Sequence, residues 1–231
     1  MIVPSGFILI DKPADWTSHD VVGYIRKLVR KNTGVKKIKV GHAGTLDPFA
    51  TGLLIVGIGR NATKCIHEFR DMPKEYVAEI TLGATSDTYD KTGVISTSKQ
   101  KKLITEPNVK TVIQTFLGKQ KQIPPMHSAK KVSGKKLYDL ARAGQEIERE
   151  PADIEIYELE LLSFSSEKIC IRVLCSKGTY IRSLAHDIGQ KLGVGAYCSA
   201  LRRTKIAHFK VENAISPTDM SAELWQTHVF S

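Results

Sequence analysis

The sequence predicts an α+β protein. Segments that read as strands outnumber those that read as helices, and several lie close enough in sequence to pair antiparallel, which disfavours a doubly wound parallel sheet. The chain has 231 residues, 42% of them hydrophobic and 25% charged, ordinary usage for a globular chain with a real core. No internal repeat or low-complexity tract interrupts it.

The elements follow in order. Gly6 to Ile10 reads as a strand ending at Asp11-Lys12-Pro13. Ser18 is the predicted N-cap of a helix to about Arg30, with Val21, Val22, Ile25, Leu28 and Val29 on one stripe. Lys39 to Gly52 reads as a glycine-punctuated loop, and Leu53 to Ile58 as a buried strand. Tyr76, Ala78, Ile80 and Leu82 alternate with Glu79 and Thr81, the pattern of a half-buried strand. Val109, Val112, Ile113, Phe116 and Leu117 mark a helix closed by Gly118. Lys119 to Glu150 reads as a basic insertion on the core, carrying Pro124-Pro125 and one short helix, Lys136 to Ala143, stopped by Gly144. Ile154 to Phe164 and Ile169 to Cys175 read as two strands able to pair, and Gly178 to Leu192 as a final helix.

Charge narrows the function. Lys and Arg total 34 against 24 acids, a net charge of +10, and the excess is segregated. Arg26 to Lys39 holds seven basic residues and no acid, Lys119 to Lys136 holds six lysines and no acid, and Asp153 to Glu160 holds four acids and no base. Such segregation draws a polyanion and points to nucleic acid. An anionic membrane fits less well, because the basic stretches lack a Trp/Phe-bearing amphipathic face. No apolar run has membrane-spanning length and no basic residue precedes the apolar N-terminus, so a soluble cytoplasmic protein is expected. Cys65, Cys170, Cys175 and Cys198 form no Cys-x-x-Cys pair and no His pair has zincin spacing, which predicts reduced thiols and no metal site.

Several generic motifs fail. Ser128-Ala-Lys-Lys131 and Lys91-Thr-Gly93 stand in the wrong order for a penicillin-binding enzyme. Asp87 to Gly93 lacks the ligand alternation and closing Glu of a calcium loop. Gly41-His-Ala-Gly44 fits the Gly-x-x-Gly of a KH loop only as a four-residue match, and no Walker lysine follows a glycine loop. Two units remain. Gly41 to Gly52 packs three glycines, His42 and Asp47 into twelve residues ahead of an apolar strand. Cys175 to Arg182 reads as strand, glycine turn and helix start, placing Arg182 where a guanidinium can hold a carboxylate.

Gly41-His-Ala-Gly-Thr-Leu-Asp-Pro-Phe-Ala-Thr-Gly-Leu-Leu54 closely resembles the signature loop of the TruB-type tRNA pseudouridine-55 synthases. The resemblance continues through Lys74-Glu-Tyr76, Leu82-Gly-x-x-Ser-Asp-Thr-Tyr-Asp90 and Pro124-Pro-Met-His-Ser-Ala-Lys130. It also covers Gly134 to Arg142, Cys175 to Arg182 and Leu201-Arg-Arg203, collinear over nearly the whole chain. It implies the pseudouridine synthase fold: a mixed, largely antiparallel central sheet flanked by helices, as one catalytic domain over residues 1–231 with an RNA-binding insertion at about 119–150. Family members commonly carry a further C-terminal RNA-binding domain, which is expected to be absent after the short stretch beyond His208.

The implied activity is a cofactor-free isomerisation of one uridine in the tRNA T-loop. By the family pattern Asp47 is the catalytic carboxylate, Arg182 its ionic partner, and Tyr76 stacks on the base and is a candidate for the proton transfers. His42 fills the space left by the flipped nucleotide, and Tyr180 and Leu201 line the uracil pocket. Lys130, Lys131, Lys135, Lys136 and Arg142 of the insertion are the expected phosphate contacts. The implied partner is the tRNA T-arm, with no membrane and no obligatory protein partner, and the chain is expected to act as a monomer. Asp47 could attack C1′, stabilise a ribosyl cation or assist C2′ deprotonation, and the sequence does not choose among these. Two rival readings are a non-enzymatic RNA-binding module and a related synthase that acts on another RNA or depends on a guide RNA.

Overall fold

The computed structural model describes residues 5–97, 102–128, 131–132, 135–142, 144–145, 147–221 and 225–230. In chain order the elements begin β1 (Gly6–Lys12), α1 (Ser18–Thr33), β2 (Val40–His42), β3 (Thr51–Ile58), α2 (Gly59–Asp71), β4 (Lys74–Leu82), β5 (Ala84–Ser86), β6 (Ile95–Thr97) and α3 (Glu106–Gln114). They continue β7 (Gly118–Gln122), β8 (Lys131–Val132), β9 (Lys135–Lys136), α4 (Leu137–Arg142), β10 (Ala152–Phe164), β11 (Lys168–Cys175), α5 (Ile181–Leu192), β12 (Ala196–Ile206) and β13 (Phe209–Lys210). The α+β expectation holds, with a mixed, mostly antiparallel sheet. The chain packs as two compact units, Met1–Tyr76 with Arg202–Ser231, and Val77–Leu201.

In the first unit β3 is the central strand. It pairs antiparallel with β1 from Gly6↔Ile58 to Lys12↔Gly52. Its other edge takes β2 antiparallel at Val40↔Ile58 and the end of β12 parallel at Arg202↔Thr51 and Arg203↔Gly52. Leu54, Val56 and Ile58 pack with Val21, Ile25 and Val29 of α1. Leu53 and Ile55 point the other way, onto Ala62, Ile66 and Phe69 of α2. Helices on both faces explain why Leu53 to Ile58 is continuously apolar rather than alternating.

In the second unit the sheet runs from the start of β12 through β4, β11 and β10 to β7. The pairing expected between the two strands near 154–175 is present, antiparallel from Ile156↔Cys175 to Phe164↔Ile169. β4 buries Ala78, Ile80 and Leu82 and leaves Val77, Glu79 and Thr81 half-buried, the predicted alternation. The basic insertion begins with an unpredicted strand: Lys119 and Lys121 of β7 lie opposite Glu155 and Asp153 of β10. Part of the positive stretch is therefore matched by the acidic one.

Several boundaries differ from expectation. Thr17, not Ser18, caps α1: its hydroxyl accepts the Asp20 N–H at 3.0 Å and the Asp20 carboxylate accepts the Thr17 N–H at 2.8 Å. Ser18 is buried in the first turn of the helix, where its hydroxyl meets the Leu46 backbone. α1 continues to Thr33, where Gly34 stops it in the left-handed region at φ 70°. α3 ends at Gln114, and Gly118 begins β7 instead of closing the helix. α5 starts at Ile181, after a turn in which Gly178 has φ 79°. The short helix of the insertion is α4, and Gly144 follows it at φ 69°. β12 escaped the sequence reading because its buried set includes Arg203, a residue type that reads as exposed.

Candidate active site

The first unit builds the Asp47 loop. β2 delivers His42, and Gly44 and Gly52 turn the backbone at φ 97° and 107° before and after Asp47. At Gly52 a Cβ would lie 2.3 Å from the Arg203 carbonyl oxygen, so the parallel pairing with β12 requires glycine there. Two buried cations brace the loop through its carbonyls. The Lys12 ammonium donates to the carbonyls of Pro13 and Trp16, both at 2.7 Å, and of Pro48 at 3.2 Å. The Arg203 guanidinium donates to Leu53 O at 2.7 Å and Gly44 O at 3.2 Å, bridging the loop from one side of Asp47 to the other. Ser18 adds a third tie, accepting the Leu46 N–H at 2.9 Å and donating to its carbonyl at 3.2 Å. Asp47 itself is half-buried, and its carbonyl accepts the Ala50 N–H at 3.1 Å.

This cradle sets the electrostatics. Burial holds Lys12 well below the usual lysine range, at about 8, while the Asp47 and Asp15 carboxylates pull it back up. Burial also lowers the His42 pKa, and the Arg203 charge pushes it the same way. The Gly44 backbone opposes the shift in part, and the net direction favours the neutral ring. Tyr76 stands in β4 with only 9% of its surface exposed.

The second unit builds the Arg182 cluster. Arg182 sits in the first turn of α5, as expected, with 3% of its surface exposed. Its guanidinium donates to Thr88 O at 2.9 Å and His127 O at 2.8 Å, and its Nη1 lies 3.3 Å from a carboxylate oxygen of buried Asp90. The other Asp90 oxygen accepts from the Thr88 hydroxyl at 2.9 Å and the Thr92 N–H at 2.8 Å. Between Thr88 and Asp90, Tyr89 takes φ 63° and stacks on His186 at 4.0 Å and 17°. Tyr180 precedes α5, and the buried Gln122 amide holds its backbone twice, accepting its N–H at 2.7 Å and donating to its carbonyl at 3.0 Å. Leu201 is buried in β12.

Sequence reasoning missed Lys12, Arg203, Gln122 and the role of Asp90. Lys12 stood at a strand end and Asp90 inside one of the matched blocks, but only tertiary placement shows what each touches. Among the insertion's expected contacts, Lys130 lies outside the described residues, and so do the side chains of Lys131, Lys135, Lys136 and Arg142. Among the described residues no cluster of His, Cys, Asp and Glu could hold a metal ion. No helix among them is long and apolar enough to cross a membrane.

Residues 30–181 match the family model described as TruB family pseudouridylate synthase (N terminal domain), and residues 182–230 match that of the tRNA pseudouridylate synthase B C-terminal domain. The chain belongs to the TruB family of pseudouridylate synthases. It is 47% identical over 222 residues to the tRNA pseudouridine synthase B of Bacteroides fragilis, covering 96% of this chain and 95% of that one. It is 49% identical over 216 residues to the namesake of Syntrophomonas wolfei, covering 91% and 70%. Among solved structures it is similar to a chain of an H/ACA RNP bound to a substrate RNA containing 2′-deoxyuridine, with a TM-score of 0.68 and 30% identity. It also resembles a chain of the archaeal box H/ACA sRNP Nop10–Cbf5 complex, with a TM-score of 0.67 and 28% identity. This TruB-family chain covers 96% and 97% of itself in those matches but only 55% and 56% of the longer chains.

Proposed function

We propose that this chain acts on tRNA as one catalytic domain and isomerises a uridine of the T-loop, position 55, to pseudouridine. The observation that carries the reading is the Asp47 loop, whose backbone is fixed on both sides by buried cations within a chain of this family. The uridine must leave its stack to expose C1′, at a cost of a few kcal/mol that pocket contacts offset. The C1′–N1 bond then breaks, the base turns, and a C1′–C5 bond forms. C5 loses its proton and N1 gains one, so the reaction is redox-neutral and needs no added group.

The ionised Asp47 carboxylate faces the positive character that develops at the ribose, and Arg182 is its ionic partner. Tyr76 stacks on the base and serves the proton transfers, with Tyr180 and Leu201 lining the uracil pocket. His42, kept neutral by burial, fills the place of the extruded nucleotide. An isomerase must exclude the water that a second carboxylate would activate in a glycosidase, and one acid in an apolar pocket suits that need. The lysines of the insertion hold phosphates of the T-arm.

The test is incubation of the pure chain with a T-arm hairpin whose uridines carry tritium at C5, followed by pseudouridine mapping. Tritium release with one modified position is expected. Binding without release would leave only an RNA-binding module, and activity confined to guide-containing mixtures would indicate an RNA-guided enzyme.

A further inference from the structure

The acid-free run from Arg26 to Lys39 has no part in the site described above. Its cations gather at one place in the first unit. α1 ends in Arg30 and Lys31, the chain crosses from Gly34 to β2, and β2 pairs with the last residues of β3 at Val40↔Ile58. α2 starts at the next residue, where the Gly59 N–H donates to Lys39 O at 2.8 Å. The junction leaves a cleft of about 400 Å³ lined by Lys37, Lys39, Arg60 and Asn61. Lys27, Arg30, Lys31, Lys36, Lys37, Lys39 and Arg60 are all exposed. Among the described residues none of Lys36, Lys37, Lys39 and Arg60 makes an ion pair, and the first turn of α2 contains no acid. The contrast with β7 is direct, because there Lys121 meets Asp153 at 3.4 Å.

Two internal rulers place this cleft far from Asp47. The Asp47 loop feeds into β3 at Thr51 and the cleft lies past Ile58, seven strand steps or about 23 Å away at ~3.3 Å per residue. α1 gives the same answer. Its start is tied to the Asp47 loop through Ser18 and Leu46, its end leads to the cleft, and 16 residues of helix span about 24 Å. Exposed lysines on long flexible stems act as point charges and suit a repeating phosphate backbone more than a single small anion.

We propose that this cleft and its rim are a second RNA-docking surface, taking backbone phosphates of the substrate RNA about 23 Å from the Asp47 loop along β3. The proposal rests on the reading of the chain as a tRNA enzyme.

The test compares wild type with the Lys37→Gln/Lys39→Gln/Arg60→Gln variant, measuring dissociation constants for full-length tRNA and for the T-arm hairpin from 50 to 200 mM salt. A control variant, Lys110→Gln/Lys168→Gln/Lys210→Gln, changes net charge equally at exposed positions elsewhere. The expected result is at least tenfold weaker binding of full-length tRNA, with the slope of log affinity against log salt reduced by two to three. The same variant modifies the hairpin with unchanged kcat. Unchanged tRNA affinity overturns the proposal, as does an equal loss in the control. Loss of binding to phosphatidylserine vesicles with tRNA binding intact would assign the surface to a membrane and overturn it as well. Failure of wild type to modify either RNA would sink the catalytic reading, while the difference in tRNA affinity would still decide this one.

Discussion

The Asp47 loop and the Arg182 cluster solve opposite problems with the same chemistry. Around Asp47 the buried cations Lys12 and Arg203 spend their donors on backbone carbonyls, so they fix the course of the loop while the acid stays half-buried. Around Arg182 the guanidinium is itself the buried group, and carbonyls from two segments and the Asp90 carboxylate hold it. One region braces a backbone to present a side chain; the other clamps the side chain directly. Substitutions should therefore separate into those that remove chemistry, those that misplace it and those that loosen the scaffold.

The largest effect is expected at the presented group. Asp47→Asn preserves size and removes charge, so turnover should vanish while tRNA affinity stays within about tenfold, ~1.4 kcal/mol. Substantial pseudouridine formation by that variant would take Asp47 out of the mechanism. Arg182→Lys comes next. A point charge cannot serve two carbonyls and a carboxylate as a planar fork does, and kcat should fall roughly a hundredfold, the scale of an ~1 Å misplacement. Asp90→Asn tests the clamp alone: a smaller loss in kcat with little change in KM is expected, and wild-type kcat would mean the two carbonyls suffice.

Much of this was legible in the sequence and some was not. Local signals gave the α1 stripe, the alternation of β4 and the hairpin of β10 and β11, because burial there follows period 3.6 or 2. The β12 strand was missed because Arg203 occupies a buried position on it. β7 was missed because its Lys and Gln residues carry no apolar face, and its pairing depends on β10 some thirty residues later. The two candidate units around Asp47 and Arg182 stood out as glycine-rich loops at element boundaries. Lys12, Arg203 and Asp90 did not, since a lone charged residue shows its acceptors only once distant segments meet.

The bracing of the Asp47 loop predicts a stability effect with a definite pH dependence. Lys12→Met leaves three carbonyls without their donor and should cost roughly 3 kcal/mol. The Lys12 pKa is about 8 in the folded chain against 10.5 ordinarily, so between those values the unfolded chain holds a proton that the folded chain has shed. Stability contributed by this group therefore rises with pH across the window, by up to ~1.4 kcal/mol per unit, and is least below pH 8. The gap in urea unfolding free energy between wild type and Lys12→Met should widen between pH 8 and pH 10. A constant gap would show that Lys12 keeps its proton inside the carbonyl cage.

The smallest effect belongs to the turn that carries Asp90. Tyr89 stands at φ 63°, a conformation that costs a non-glycine residue about 1–2 kcal/mol, and its stack on His186 offsets that by roughly 0.5–1.5 kcal/mol. Tyr89→Gly relieves the strain and loses the stack, so its unfolding free energy should stay within about 1 kcal/mol of wild type. His186→Ala loses the stack and keeps the strain, and should be the less stable of the two. If the stack also fixes the Asp90 turn under Arg182, both variants should lower kcat modestly at unchanged KM, though only one is destabilised. Equal stability losses in the two variants would mean that the backbone at Tyr89 carries no strain for glycine to release.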